Sequence, residues 1–414
     1  MKKITLFLAL LCGTLLSAAA QDDNCFSVIA GRSATVDGSV LMAHNEDDSG
    51  EQMLNIYVVP ATDRSLRYIW CEFPGMEVAD VMMNQFGVSI ASNGCPSRED
   101  KGELTDGGVL YEVRLSVAKY ARTAREAMEL IGSMVETFGY RGSGRSYIVA
   151  DPSEGWVVSV VKGKHWVAQR VPDDQVMTIP NYYVIGEVDL TDETNFAGSE
   201  DLIEYALQRG WYDPARDGAF HFAKAYASEA SMKSENNISR HKEAWNYFFG
   251  AEKAGVFASA PKQKVSIRDM MNVLALHEPA NEKGQLVNSI CNDHTILSTI
   301  FQLRSRMPFD EGCVMWNAMG HPCSEAYVPW YAGITKAPAG MGRFATAQEA
   351  EQKHMTDAKD KRKNYPNHFY WKYVDGWSVT GDPSEKQREI FKARKSFEKN
   401  STKDYNAFIA SFYK

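Results

Sequence analysis

Residues 25–47 read CFSVIAGRSATVDGSVLMAHNED, and the interpretation of the whole chain starts from this stretch. Two apolar runs, 26–31 and 39–44, lie on either side of Asp37-Gly38, a dipeptide that strongly favours a hairpin turn. The pattern predicts two antiparallel strands near the start of the folded protein. Cys25 stands immediately before the first of them.

The rest of the chain has the pattern of a mixed α/β protein without repeats. Further strand-like runs are 55–59, 66–71, 87–91, 146–150, 156–161, 166–171, 295–303 and 313–318. Apolar residues at helical spacing occur at 109–121, 124–137, 200–209, 240–249, 267–276, 385–399 and 404–412. Two groups of antiparallel strands with helix pairs between them predict a layered α+β sandwich. We expect one domain over 25–340 and a helical C-terminal extension over 341–414, with the linker inside 337–367.

The first twenty residues have the pattern of a secretion signal. Two lysines precede an apolar run at 4–16, and the small residues SAAA at 17–20 supply a cleavage site. The run is shorter than the about 20 residues that a membrane-spanning helix needs. We therefore expect an exported protein, periplasmic or extracellular, without a membrane span. Cleavage after Ala20 leaves residues 21–24 as a short propeptide ahead of Cys25.

Composition indicates a globular protein of enzyme size. The chain has 414 residues, of which 44% are hydrophobic and 24% charged, and its net charge is −8. The negative charge argues against a nucleic acid partner. Outside the leader six cysteines are scattered without a zinc-like spacing, and some of them could be bridged in an exported protein. His321 and Cys323 lack further ligands nearby in sequence, so no metal and no cofactor is predicted.

The position of Cys25 has a chemical consequence. A cysteine that becomes the first residue after processing carries both a thiol and a free α-amine. The thiol can attack a carbonyl, and the amine, with a pKa near ~7.7–8.0 in peptides, can take up the thiol proton. The alternative is an ordinary buried cysteine near an N-terminus, and the position alone leaves both open.

A series of short motifs connects this chain to a family. They are CFS at 25–27, GR at 31–32, DGS at 37–39, AHNED at 43–47, SYIVAD at 146–151, WVAQRVP at 166–172, IPN at 179–181, GEVDL at 186–190, SR at 239–240, AW at 244–245, FQLR at 301–304, VMW at 314–316 and VPWY at 328–331. Their order resembles the bacterial dipeptidase A family, which also contains the secernins, over roughly 25–338. Members of that family are cysteine N-terminal-nucleophile hydrolases.

The resemblance implies a four-layer αββα sandwich and the hydrolysis of amide bonds, usually in dipeptides. Cys25 would form a thioester after autocatalytic removal of the leader, and Asp47 would orient its amine. Asn181 matches an asparagine that related acylases use to stabilise the oxyanion, and Asn93 is a second candidate. Arg240 corresponds to a late active-site arginine of those acylases. Each of these four residues also has an ordinary structural interpretation, as a solvated acid, turn residues or the start of a helix.

A dipeptidase must also recognise the charged ends of its substrate. Arg32 is a candidate for the substrate carboxylate, and an acid such as Glu46 or Asp48 is a candidate for the substrate amine. His44 and Asn45 complete the predicted binding group. The sequence does not choose among them.

Two departures from the family pattern leave other functions open. His44 replaces an arginine that the family often has, and Ser159 replaces an acid in a later strand. A histidine, unlike arginine, titrates near neutral pH. The alternatives are an acylase of the bile-salt or penicillin type, or an exported binding protein with an inactive hydrolase fold. Assembly into a homo-oligomer is compatible with the sequence.

Overall fold

The computed structural model describes residues 25–48, 54–72, 79–339, 341 and 382–413. The fourteen strands are β1 (Phe26–Ala30), β2 (Val40–Asp47), β3 (Asn55–Val59), β4 (Tyr68–Glu72), β5 (Ala79–Asn84), β6 (Ser89–Gly94), β7 (Tyr140–Ala150), β8 (Gly155–Gly163), β9 (Trp166–Arg170), β10 (Val176–Ile179), β11 (Phe196–Gly198), β12 (Thr295–Leu303), β13 (Cys313–Met319) and β14 (Val328–Tyr331). The predicted leader, the propeptide and most of the predicted linker lie outside the described residues.

Eleven helices accompany these strands in the described part of the chain. They are α1 (Glu112–Tyr120), α2 (Ala124–Phe138), α3 (Leu202–Gln208), α4 (Pro214–Asp217), α5 (Phe222–Tyr226), α6 (Glu229–Lys233), α7 (Glu235–Phe249), α8 (Ile267–Leu274), α9 (Phe309–Gly312), α10 (Pro383–Lys399) and α11 (Tyr405–Ala410). A 3₁₀ turn over Ser411–Tyr413 follows α11. None of the helices in the described ranges has the length and apolar character needed to cross a bilayer.

The predicted pair of N-terminal strands forms the centre of a six-stranded antiparallel sheet. β1 and β2 pair with Ser27 opposite His44, and the strand order is β10-β1-β2-β12-β13-β14. Gly38 adopts the positive φ of +74° that its turn requires, but residues 31–39 form a longer connection than a tight hairpin. β2 also continues to Asp47, three residues past its predicted end, because β12 pairs with it up to Thr295.

A second antiparallel sheet has eight strands in the order β11-β9-β8-β7-β6-β5-β4-β3. The two sheets pack face to face around a large apolar core that includes residues from both. Their approach is close at Gly155 in β8, where an added Cβ would lie 2.1 Å from Ile29 Cδ1 in β1. A residue with a side chain can stand there only if the Ile29 side chain moves aside.

Helices cover both outer faces of this pair of sheets. α1 and α2 pack on the eight-stranded sheet, where the buried side of α2 and the strands form a separate apolar core. α7 and α8 pack on the six-stranded sheet, and α8 is begun by a capping box of Ser266 and Asp269. The four layers are therefore helices, sheet, sheet and helices. This confirms the predicted α+β sandwich of αββα type.

The two C-terminal helices pack beside β13 and β14. Tyr331 of β14 contacts Phe397 of α10 with ring centroids 5.4 Å apart, and Arg304 forms an ion pair with Glu398 at 2.8 Å. The tail helices therefore bury aromatic side chains against the sheet rather than standing in solvent. The division into two domains stays a prediction.

Candidate active site

Cys25 lies at the end of β1 with its backbone held by buried side chains. Its thiol is buried, at 1% exposure. Its carbonyl accepts hydrogen bonds from Arg240 Nη1 at 3.2 Å and from Asn93 Nδ2 at 3.1 Å. The structure thus brings together three residues that the sequence places far apart, one each from β1, β6 and α7.

Alternate residues of β2 point to opposite faces of its sheet. Asn45 and Asp47 face the helices, and we call them the framework face. Asn45 donates to the carbonyls of Leu274 and Ile290 at 2.9 and 3.0 Å, and it accepts from Ser298 Oγ at 2.6 Å. All of its usual partners are then protein groups, so the position of Asn45 indicates a structural role rather than the predicted substrate contact.

Asp47 is fixed by the same side of the sheet. Its carboxylate accepts from Asn292 Nδ2 and from Thr295 Oγ1, both at 2.7 Å, and lies 3.8 Å from Arg240 Nη1. Burial lowers the pKa of the Arg240 guanidinium, and the negative charges of Asp47 and Cys25 act in the opposite direction. Asp47 therefore reaches Cys25 through Arg240, which joins the two residues.

Arg240 also organises the candidate oxyanion residue Asn181. Its Nη2 donates to Asn181 Oδ1 at 2.9 Å and to Asn237 Oδ1 at 2.7 Å. One hydrogen of the Asn181 amide goes to the carbonyl of Gly94 at 2.9 Å. Asn93 is the candidate whose amide contacts Cys25 directly, whereas Asn181 contacts Arg240. Asn237, Asn292 and Thr295 could not be predicted as site residues, since isolated polar residues carry no pattern.

The opposite face of β2 carries His44 and Glu46, and with Ser27 of the neighbouring β1 they form a hydrogen-bonded chain, which we call the relay face. Glu46 Oε2 lies 3.0 Å from His44 Nε2 and 3.5 Å from Cys25 Sγ. His44 Nδ1 lies 2.8 Å from Ser27 Oγ. Two of the predicted substrate-binding residues, His44 and Glu46, are thus beside the thiol. Of the two acids considered for a substrate amine, it is Glu46 that contacts Cys25.

The hydrogen-bond partners fix the tautomer of His44. Asn93 Nδ2 donates to two carbonyls, of Cys25 and Ile179, so its Oδ1 is the acceptor for Ser27 Oγ at 2.6 Å. Ser27 has a single hydrogen and gives it to Asn93. Its oxygen must therefore accept from His44 Nδ1–H, which leaves Nε2 facing Glu46 and the Cys25 thiol.

Arg32 is a correction to the predicted substrate-binding group. It follows β1 at the end opposite to Cys25, roughly 20 Å away at the rise of a β-strand. Its side chain is 48% exposed and pairs with Asp173 at 2.9 Å. The GR motif therefore marks a surface turn after the strand, and Arg32 does not reach a substrate held at Cys25.

A second group of thiols lies away from Cys25. Cys291 and Cys323 hydrogen-bond each other, and Cys323 also contacts His277. The hydrogen bond from Cys291 lowers the pKa of the Cys323 thiol to about 6, with help from the two nearby histidines, His277 and His321. Cys323 lines a cavity of about 260 Å³ between α8 and α10. The cysteines that the structure describes are thiols rather than disulfides.

Comparisons with known proteins agree with the predicted family. A dipeptidase from Bifidobacterium longum is 25% identical over 79% of this chain and 74% of its own length. A probable dipeptidase B from Streptococcus pyogenes serotype M1 is 26% identical over 84% of this chain and 76% of its own length. A probable dipeptidase from Salmonella dublin is 26% identical over 78% of this chain and 85% of its own length.

Structural comparison finds a more distant overlap. The solved penicillin V acylase from Agrobacterium tumefaciens covers 74% of this chain and 86% of its own, with 13% identity and a TM-score of 0.38. At that level the fold assignment rests on the layers and strand order described above.

The family match is more extensive. Peptidase family C69 matches residues 100–358, more than half of the chain. The matched range begins after Cys25 and includes Asn181 and Arg240. The prediction of a hydrolase related to bacterial dipeptidases is confirmed, and this chain belongs to peptidase family C69.

Proposed function

We propose that this protein is an exported cysteine dipeptidase that hydrolyses a peptide bond through a thioester on Cys25. The observation that carries the proposal is that Cys25 contacts two sets of polar side chains, Arg240 with Asn93 on one side and Glu46 on the other. Its carbonyl accepts hydrogen bonds from Arg240 and Asn93, and its thiol lies 3.5 Å from Glu46. A buried cysteine with only a packing role does not need a buried arginine and a carboxylate beside it. The similarity to bacterial dipeptidases supports dipeptides as the substrate class.

The first chemical step would follow removal of the leader, which frees the α-amine of Cys25. The amine takes the proton of the thiol, and Sγ attacks the substrate carbonyl to form the C–S bond. When the C–N bond breaks, the same proton passes to the leaving amine. Water then attacks the thioester, with the α-amine again accepting a proton, and the C–S bond breaks to return the thiol.

Charge on the carbonyl oxygen must be stabilised during both steps. Asn181 is the proposed donor, because Arg240 fixes its amide within the Cys25 site. Both amide hydrogens of the other candidate, Asn93, already go to the carbonyls of Cys25 and Ile179, so Asn93 positions Cys25 instead. Arg240 keeps a positive charge in a buried position, at 0% exposure. Asp47 balances that charge and keeps the guanidinium beside Cys25, so Asp47 acts as a positioning residue.

The proposed recognition of a dipeptide uses the relay face. A substrate bound at Cys25 would bring its amine close to Glu46, whose carboxylate is the acid nearest to the thiol among the predicted residues. A panel of dipeptides, conjugated bile salts and penicillin V tests this choice. Turnover of dipeptides alone supports the proposal, whereas turnover of the acylase substrates alone assigns the site to the acylase alternative.

Intact mass tests the role of Cys25 itself. The protein is expressed with its own leader and compared with Cys25→Ala and with the control Cys323→Ser, which alters the other reactive thiol. We expect the wild type and the control to begin at Cys25 and to hydrolyse dipeptides, and Cys25→Ala to retain residues 21–24 and to be inactive. If Cys25→Ala turns over dipeptides at the wild-type rate, Cys25 is not the nucleophile. An active wild type that begins at Gln21 would exclude the free amine as the base.

A further inference from the structure

Three side chains at the proposed nucleophile form a compact set of metal ligands. Cys25 Sγ, His44 Nε2 and a carboxylate oxygen of Glu46 all lie within 4.8 Å of one another, and theirs is the single such group of His, Cys, Asp and Glu found among the described residues. No sequence motif indicates this group, because two of the ligands come from β2 and the third precedes β1.

The distances between these atoms suit tetrahedral zinc. With Zn–S near 2.3 Å and Zn–N or Zn–O near 2.0 Å, the edges of a tetrahedron are about 3.3 Å between N and O and about 3.5 Å between S and O. The structure has 3.0 Å between His44 Nε2 and Glu46 Oε2, and 3.5 Å between Cys25 Sγ and Glu46 Oε2. The remaining pair, Cys25 Sγ and the His44 ring nitrogen, lies within 4.8 Å, against about 3.5 Å in the tetrahedron, so an ion could enter with shifts of up to about 1 Å.

The surroundings prepare the histidine for this role. Ser27 accepts from His44 Nδ1–H, so the Nε2 lone pair points to the other two ligands. A partner that holds the second ring nitrogen is the usual support of a metal-binding histidine. An arginine at this position could not bind a metal ion, so the proposed ligand set depends on the imidazole of His44.

Charge considerations lead to the same result. His44 Nε2 and Glu46 Oε2 are both acceptors when histidine is neutral and the acid ionised, yet they lie 3.0 Å apart. A proton must lie between them, and the Cys25 thiol brings a second proton to Glu46 Oε2. A divalent cation can replace both protons, leaving the thiolate, the imidazole and the carboxylate as its ligands.

We infer that Cys25, His44 and Glu46 bind one thiophilic divalent cation of the Zn²⁺ class, and that the bound ion blocks hydrolysis. A thiolate, an imidazole and one carboxylate favour Zn²⁺ or Co²⁺ over Mg²⁺ and Ca²⁺, which require mainly oxygen ligands. The fourth ligand is water or, once the leader is removed, the α-amine of Cys25. Binding does not depend on leader removal, and only the inhibition rests on the proposed function.

Metal binding is measured first, without reference to activity. Zn²⁺ is titrated against the full protein in competition with a chromophoric chelator, and Co²⁺ is added to a second sample for absorption spectra. We expect one ion per chain, a thiolate-to-Co²⁺ charge-transfer band, intense visible bands of a tetrahedral ion, and release of about two protons per Zn²⁺. The absence of stoichiometric binding would overturn the inference.

Variants locate the ion. Cys25→Ala, His44→Ala and Glu46→Gln are each expected to weaken Zn²⁺ binding at least about 100-fold, and Ser27→Ala about 10–100-fold through loss of the support to His44. Circular dichroism and thermal unfolding show whether each variant is folded, and Ser27→Ala provides a milder test if His44→Ala is not. The matched control is His277→Ala with Cys323→Ser, which removes the other His–Cys cluster. Loss of binding in this control with retention in His44→Ala would place the ion there and refute the proposed site.

Activity then separates the inference from the proposed function. Dipeptide turnover should reach its full rate in the presence of a chelator. Each Zn²⁺ ion added should inhibit one active site, while Mg²⁺ should have no effect. Stoichiometric binding at His44 in a protein that hydrolyses no dipeptide in the chelator would contradict the proposed function but support the metal site. Unchanged turnover with Zn²⁺ fully bound would contradict the blocking role.

Discussion

The two faces of β2 carry neighbouring residues of one motif, and these residues make different kinds of contact. On the framework face, Asn45 and Asp47 are fixed by helix and strand groups, and Asp47 offsets the charge of the buried Arg240. On the relay face, His44 and Glu46 lie beside the Cys25 thiol and share protons with it. Because of the strand period of two, alternate residues of AHNED contact either the helix side or the Cys25 thiol.

The largest effect should come from Cys25, where the two faces meet. Its carbonyl belongs to the framework and its thiol to the relay, so Cys25→Ala removes only the relay contact. We expect kcat/KM for a dipeptide to fall about 10⁴-fold or more, and unfolding in urea to change little. Cys25→Ser keeps a hydroxyl of similar size and serves as the control for packing. If folded Cys25→Ala keeps a tenth of wild-type turnover, the relay face takes no part in hydrolysis.

Replacing the acid on each face distinguishes the faces directly. Asp47→Ala leaves the Arg240 guanidinium buried without its carboxylate, and the free energy of unfolding should fall by about 3–5 kcal/mol. The Glu46 side chain is 13% exposed, and Glu46→Gln should lower the free energy of unfolding by less than about 1 kcal/mol while it reduces turnover. Urea unfolding of both variants at one pH gives the comparison. Equal losses in the free energy of unfolding would show that both faces of β2 contribute to stability in the same way.

Acid should weaken the helix side of the molecule through His241, which neighbours Arg240 on α7. Burial lowers the pKa of His241 to about 3, from 6.5 in the unfolded chain, so the unfolded state binds the extra proton first. This contribution to stability is complete above pH 6.5 and decreases as the pH falls from there towards 3. From pH 7 to pH 5 it costs about 2 kcal/mol.

Urea unfolding at both pH values, in the wild type and in His241→Gln, isolates this contribution. The glutamine can still bond to Tyr182 or Thr178, the present partners of His241, but it does not titrate. We expect the pH-dependent loss to be about 2 kcal/mol smaller in the variant. An identical loss in both proteins would mean that other groups cause the acid sensitivity.

Much of this arrangement could be predicted from the sequence, since it depends on local patterns. The paired strands around Asp37-Gly38 and a layered α+β sandwich follow from turn residues and apolar periodicity, whereas the αββα order is what the resemblance to the dipeptidase family implies. What could not be predicted were contacts between distant segments. Asn292 and Thr295 reach Asp47 only because β12 pairs with β2, and the tautomer of His44 depends on Asn93 from the other sheet. Arg32 was misplaced because proximity in sequence to a strand end does not say which end faces the site.

Arg32 also gives the smallest predicted effect and the cleanest control for the relay face. Its ion pair with Asp173 is largely exposed, and such pairs contribute about 0–1 kcal/mol to stability. Arg32→Ala should leave KM for dipeptides unchanged and shift the unfolding free energy by less than about 1 kcal/mol, since the proposed substrate site at Cys25 is at the other end of β1. Steady-state kinetics with dipeptides and with their C-terminal amides measures this. If Arg32→Ala raises KM for the acids alone, the substrate extends along β1, and the site is larger than the two faces of β2.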